Sequence, residues 1–235
     1  MLDAIILCGG RGSRLSSVVS DVPKPLAPVL GRPFLDHLLA FIAQSGAVEG
    51  AVLAIHHLSD RIVSYYETHP APLPLQFVRE PKPLGTGGAL FNSMAATQSR
   101  TLFCFNGDSL CGGDLTALAE AHRSFGPGFT LGLTHVPDTS RYGSVICDPS
   151  DRVLRFSEKS ASHGPGLINA GVYVIDREVL GPWNGETLSL ETEVLPRLVE
   201  AGAVRGVAMA GPFLDIGLPE SYAAAEDFIR GFSSS

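Results

Sequence analysis

Ala4-Ile5-Ile6-Leu7-Cys8-Gly9-Gly10-Arg11-Gly12-Ser13-Arg14-Leu15 is the stretch from which the rest of the chain is best read. Its four leading apolar residues, too few for a helix, read as a buried strand. The strand runs straight into glycines, which let backbone N–H groups approach a phosphate with no Cβ in the way. Arg11 and Arg14 add positive charge, and Pro23-Lys24-Pro25 follows soon after. Two prolines restrict the backbone around Lys24 and preorder its ammonium for bracing phosphates. The arrangement suits a nucleoside triphosphate. A dinucleotide fingerprint is excluded, because Arg14 or Leu15 stands where G-x-G-x-x-G needs its third glycine. No Gly-Lys-Ser/Thr follows, which excludes a Walker A loop.

Working outward, short apolar runs recur at Ala51–Ile55, Leu75–Val78, Thr101–Phe105, Thr130–Thr134 and Gly171–Ile175. Leu35, Leu38, Leu39 and Ile42 mark an amphipathic helix over Phe34–Gln44 that stops near Gly46. Ser59–Glu67, with Ser59 or Asp60 near its N-cap, Gly87–Ala96 and Asp114–Phe125 read as further helices. Strand–helix alternation with continuous apolar strands predicts an α/β fold with a mixed, mainly parallel sheet flanked by helices. Gly143–Cys147 and Arg152–Phe156, joined through Asp148-Pro149-Ser150-Asp151, read as a hairpin and thus as a small β-rich insertion.

The whole chain narrows the classes. With 235 residues, 45% of them apolar and 17% charged, it can bury a substantial core. A net charge of -7 provides no broad basic field, so no nucleic-acid partner is expected. Anionic ligands must therefore be met by local cations. No apolar run approaches the ~18 residues of a membrane span, and the N-terminus, with Asp3 and no basic region, reads as no secretion signal. Cys8, Cys104, Cys111 and Cys147 show no C-x-x-C spacing and read as reduced thiols in a cytoplasmic protein rather than zinc ligands. Gly231–Ser235 is expected to fray.

Two carboxylates stand out. Asp108, in Asn106-Gly107-Asp108, follows the apolar run Thr101–Phe105 and so reads as lying at the carboxyl end of a strand, where open α/β sheets bind ligands. It is either a hard oxygen ligand for Mg²⁺ or a cap of the next turn. Asp215 lies in the apolar Phe213-Leu214-Asp215-Ile216-Gly217, where an unpaired carboxylate would be costly. One ion shared by both accounts for the pair economically. Between them, Glu158 can accept sugar hydroxyls, Lys159 can pair with a phosphate, and Asn169 can serve a vicinal diol. His56-His57 reads as structural or solvent-facing.

Gly9-Gly10-Arg11-Gly12-Ser13-Arg14-Leu15, Pro23-Lys24-Pro25, Gly107-Asp108, Glu158-Lys159, Asn169-Ala170-Gly171 and Asp215-Ile216-Gly217 together resemble the sugar-1-phosphate nucleotidylyltransferases over almost the whole chain. Finer stretches, Gly31-Arg32-Pro33-Phe34-Leu35 and Leu84-Gly85-Thr86-Gly87-Gly88-Ala89, resemble the D-glycero-α-D-manno-heptose 1-phosphate guanylyltransferases. The resemblance implies a Rossmann-like nucleotidyltransferase fold as one domain over residues 1–235. Its nucleotide-binding part would span about 1–125, and its sugar-phosphate-binding part about 126–215. It implies two substrates, GTP or another NTP and a sugar 1-phosphate, with Mg²⁺ on Asp108 and Asp215. Arg14, Lys24, Asp108 and Lys159 would be catalytic. Leu7, Gly9, Gly10, Arg11, Gly12, Ser13, Gly85 and Gly87 would line the nucleotide, and Tyr142, Gly143, Glu158, Lys159 and Asn169 the sugar phosphate. Glu80 would read guanine, its alternative being an ion pair with Arg79 or Lys82. Cys8 departs from the alanine of many relatives, and Ser13 from threonine. The product would feed surface-glycan assembly. Mannose-1-phosphate guanylyl transfer, uridylyl transfer and a non-catalytic nucleotide-sugar-sensing subunit are the competing readings. Assembly into a homo-oligomer is compatible with these readings.

Overall fold

The computed structural model describes residues 2–19, 21–157 and 164–232. Its strands are β1 (Leu2–Leu7), β2 (Pro28–Val29), β3 (Arg32–Pro33), β4 (Val48–Ile55), β5 (Leu75–Arg79), β6 (Thr101–Asn106), β7 (Ser109–Cys111), β8 (Phe129–Val136), β9 (Ser144–Cys147), β10 (Val153–Ser157), β11 (Gly166–Asp176), β12 (Val204–Ala208) and β13 (Phe213–Asp215). Its helices are α1 (Phe34–Gln44), α2 (Ser59–Thr68), α3 (Gly85–Met94), α4 (Leu115–Phe125), α5 (Arg177–Leu180), α6 (Leu195–Glu200), α7 (Pro219–Ala223) and α8 (Ala225–Phe232), with a π-helical turn at Leu190–Val194.

Seven strands form the central sheet in the order β12-β8-β11-β6-β1-β4-β5. All neighbours pair in parallel except β11, which runs antiparallel to both β6 and β8. The sheet is therefore mixed and mainly parallel, as the sequence implies. The inner strands are apolar on both faces because helices cover both. Ala4 and Ile6 of β1, Phe103 and Phe105 of β6, and Val172 and Val174 of β11 pack under α1, α2 and α4. Ile5, Leu102, Cys104, Tyr173 and Ile175 point the other way, against α3 and α6. The period-2 alternation of each strand thus serves two cores.

α1 spans the predicted residues and buries Leu35, Leu38, Leu39 and Ile42. α4 is capped by Asp114, whose carboxylate accepts the Ala117 N–H at 3.0 Å. α2 begins differently from expectation. Leu58, in the left-handed region at φ 53°, precedes it with no side-chain cap, and the Ser59 hydroxyl accepts from Arg79 instead. The β9–β10 hairpin forms, turning through Asp148, whose carboxylate accepts the Ser150 and Arg152 N–H groups. A third core packs Leu15, Val29, Phe34, Leu214 and Ile216 against Ala225 and Ile229 of α8. Phe232 ends α8 with its ring against Phe41, centroids 5.5 Å apart, so that part of the expected frayed segment is packed.

Candidate active site

Chain order sets where the site lies. From β1 the chain moves outward to β4 and β5, then returns to β6 on the other flank of β1. That reversal opens a crevice beyond the carboxyl ends of β1 and β6, where such sheets receive ligands. Leu7 and Asn106 are register partners at its floor, and Gly107 donates its N–H to the Leu7 carbonyl at 3.0 Å. A Cβ on Gly107 would approach Cys8 Sγ at 2.7 Å, so only glycine lets the two loops touch.

Four parallel strands deliver side chains to this rim. β1 ends in Leu7 and the glycine loop, β4 in His56, β5 in Glu80 and β6 in Asn106 and Asp108. With Lys24, Pro25, Pro83, Gly85, Thr86 and Ala89 they line a cavity of about 350 Å³. Among the predicted nucleotide residues, Leu7, Gly9, Gly10, Arg11, Glu80 and Gly85 are in its wall. Gly12, Ser13 and Arg14 continue the loop beyond the wall. Arg14 is exposed, next to the buried anchor Leu15. Gly87 lies within α3 and outside the cavity wall, its N–H donated to the Leu188 carbonyl at 2.9 Å.

Glu80 is only 8% exposed. It pairs with neither predicted partner: Arg79 bridges to Asp60 at 2.7 Å and Lys82 to Glu186 at 3.7 Å. Its Oε2 accepts the Leu84 N–H at 2.9 Å, and its Oε1 fills the space a Cβ on Gly9 would need. Burial raises the carboxyl above its ordinary range, opposed by the Leu84 N–H and by His56. His56, read as structural from sequence, lines the cavity, its Nδ1 3.2 Å from the Glu80 carbonyl. Its position directly after a buried parallel strand was the signal available. Asn106 and Thr86 were missed for a different reason, since neither residue type announces a site.

Lys24 starts a 3₁₀ turn between its two prolines and is held under Gly12, which has φ +61°. Its side chain is 9% exposed, and its Nζ lies 2.5 Å from Asp108 Oδ2. Asp215 reaches the same point because β13 pairs with β7, Asp215 opposite Ser109, and the Ile216 N–H bonds to the Asp108 carbonyl at 2.9 Å. Asp215 Oδ1 accepts the Gly217 N–H, and its Oδ2 lies 3.6 Å from Arg141 Nη2. Burial and then the Asp108 charge raise the Asp215 carboxyl, opposed by Lys24, the Gly217 N–H and Arg141. Two hard carboxylates, one of them raised by burial and by the charge of the other, fit a divalent cation. Among the described residues no group of three or more metal-ligating side chains exists, so further ligands would come from substrate or water.

On the far side of Asp215, Tyr142 stands edge-on to Phe213 at 5.5 Å, with the Arg141 guanidinium 5.2 Å from its ring centre. Gly143, at φ +79°, closes the turn onto the Thr139 carbonyl. Asn169 donates to the Tyr173 hydroxyl at 2.8 Å and accepts from the Gly171 N–H. Glu158 and Lys159 lie outside the described residues.

A glycine loop at the switch point of an α/β sheet, facing a held lysine and two carboxylates, suits a nucleotide-binding transferase. The family model described as Nucleotidyl transferase matches residues 3–231, and the chain belongs to that family. It is 37% identical to the mannose-1-phosphate guanylyltransferase of Mycobacterium tuberculosis, the match covering all of this chain and 66% of that protein's length. It is 34% identical to the D-glycero-alpha-D-manno-heptose 1-phosphate guanylyltransferase of Aneurinibacillus thermoaerophilus, covering 98% of this chain and 100% of that one. Among solved structures, HddC from Yersinia pseudotuberculosis complexed with GMP-PN superposes with a TM-score of 0.86 at 31% identity, covering 97% and 99% of the two chains.

Proposed function

We propose that the chain transfers GMP from GTP to D-glycero-D-manno-heptose 1-phosphate, giving GDP-heptose and pyrophosphate in the cytoplasm. The carrying observation is one rim that holds a glycine loop, a buried carboxylate and the Lys24–Asp108 pair around a nucleotide-sized cavity. The likeness to HddC complexed with GMP-PN and to heptose 1-phosphate guanylyltransferases supports the choice of base and sugar. Mannose 1-phosphate is the second reading, favoured by the 37% identity to the mycobacterial relative.

An oxygen of the sugar phosphate attacks the α-phosphorus, that P–O bond forms, and the bridge to the β-phosphate breaks. The attacking group's second pKa is about 6, so it is largely ionised at neutral pH and needs no general base. The C1–O bond is never broken, so anomeric configuration is retained. What the protein must do is align two repelling anions and neutralise charge at phosphorus. Lys24, fixed by its prolines and by Asp108, presents its ammonium to the α-phosphoryl group. Arg11 and Arg14 face the departing β- and γ-phosphates, and Lys159 the sugar phosphate. Glu80 accepts from the N1–H and N2–H₂ edge of guanine. Asp108 and Asp215 would hold Mg²⁺, which supplies charge neutralisation at the triphosphate. No helix among the described residues is long and apolar enough to cross a membrane.

Pyrophosphate release assayed with the four NTPs against heptose, mannose and glucose 1-phosphates tests the reading. GTP with the heptose phosphate should be turned over best. Preference for UTP, or no turnover with any pair, would overturn it.

A further inference from the structure

The charges around Asp108 and Asp215 are matched one for one. Lys24 sits on Asp108, and Arg141 Nη2 lies 3.6 Å from Asp215 Oδ2. Arg141 is kept there from two sides, by the carboxylate and by the Tyr142 ring, which is itself packed on Phe213 two residues before Asp215. Its side chain remains 40% exposed, so a ligand in solution can reach it. It stands apart from the cavity wall built by β1, β4, β5 and β6, in the loop that carries Tyr142 and Gly143. The resemblance assigns Tyr142 and Gly143 of that loop to the second substrate.

We propose that Arg141 is a phosphate-binding residue for the sugar 1-phosphate, parked on Asp215 until the substrates arrive. The inference deepens the functional reading above and rests on it. With a divalent cation held by the two carboxylates, Arg141 would lose its partner on Asp215 and its guanidinium would be repelled. The released planar fork then faces an incoming phosphate, which it can grip with two parallel N–H···O bonds. The free protein thus avoids an uncompensated pair of carboxylates, and the same cation that relieves them becomes available for the substrate. The net charge of -7 makes such a local cation necessary, because the molecule as a whole repels the ligand.

The test compares wild type, Arg141→Ala and Arg141→Lys, using GTP and whichever sugar 1-phosphate wild type turns over best. In Arg141→Ala, KM for the sugar phosphate should rise about 10-fold or more, the scale of one lost charge-assisted hydrogen bond. KM for GTP should change less than about 2-fold, and Arg141→Lys should fall between, keeping charge without the fork. Without any substrate, Mn²⁺ titrated into Arg141→Ala and followed by electron paramagnetic resonance should bind several-fold more tightly, since its competitor is gone. An unchanged sugar-phosphate KM, or an unchanged Mn²⁺ affinity, overturns the proposal. Absence of turnover in wild type with every sugar 1-phosphate overturns the functional reading instead.

Discussion

At the scale of single residues the site is a set of opposed charges held in place by glycines and prolines. Lys24 has little freedom, with a proline on each side, Gly12 above it and Asp108 in contact. Its replacement by alanine should leave far-UV circular dichroism unchanged and lower kcat about 100-fold or more, as loss of one preorganised transition-state donor does. Near-normal turnover would refute its role. Most of these residues were legible beforehand. Cys8 through Arg14, Lys24, Asp108 and Asp215 carry their chemistry in residue type and order. Glu80 was legible as either a base-reading carboxylate or an ion-pair partner, and packing settled against Arg79 and Lys82. Thr86 was illegible as a site residue, since threonine occurs anywhere that burial allows, and His56 offered only its place directly after a buried strand.

At the scale of elements, α4 is locked to the sheet by polar groups as well as by its apolar stripe. His122 Nδ1 lies 2.8 Å from Thr130 Oγ1 on β8, and Nε2 lies 3.2 Å from Asp176 Oδ2 on β11. Thr101 of β6 donates to the other Asp176 oxygen. Burial holds the His122 imidazole below its ordinary value, against the attraction of Asp176. A depressed folded value contributes stability above the unfolded value of about 6.5. That contribution is lost as pH falls, because the unfolded chain takes up a proton the folded one refuses. Thermal melts of His122→Gln should therefore show lower stability than wild type at pH 7 and a flatter dependence between pH 7 and 5. Parallel slopes for the two proteins would sink the account. The sequence showed α4 as a helix, whereas this lock joins residues far apart in the chain and left no local pattern. β12 and the antiparallel course of β11 were likewise invisible, for strand direction and edge pairing are set by what the rest of the chain leaves unpaired.

At the scale of the molecule, β8, β11 and β12 belong to the same sheet as β1, β4, β5 and β6. We propose that the nucleotide and sugar-phosphate parts unfold together as one domain. Far-UV circular dichroism and the fluorescence of Trp183, stacked on Phe91 of α3, should report coincident thermal transitions. GTP at about a hundred times its Kd should raise apparent stability by about 2.7 kcal/mol, a shift of roughly 5–10 °C at this length. Two separated transitions would show the parts to be independent. The sequence by itself determined the alternation of strands and helices, the glycine loop with its cations, and the expectation that Asp108 and Asp215 meet. These follow from hydrophobic period and residue chemistry, which are local. Only the tertiary structure decided that Arg141 is held on Asp215, that Glu80 turns to Gly9 rather than to Arg79 or Lys82, and that His56 lines the cavity of the opening glycine loop. Those are outcomes of strand order and register, which depend on contacts between residues tens to hundreds of positions apart.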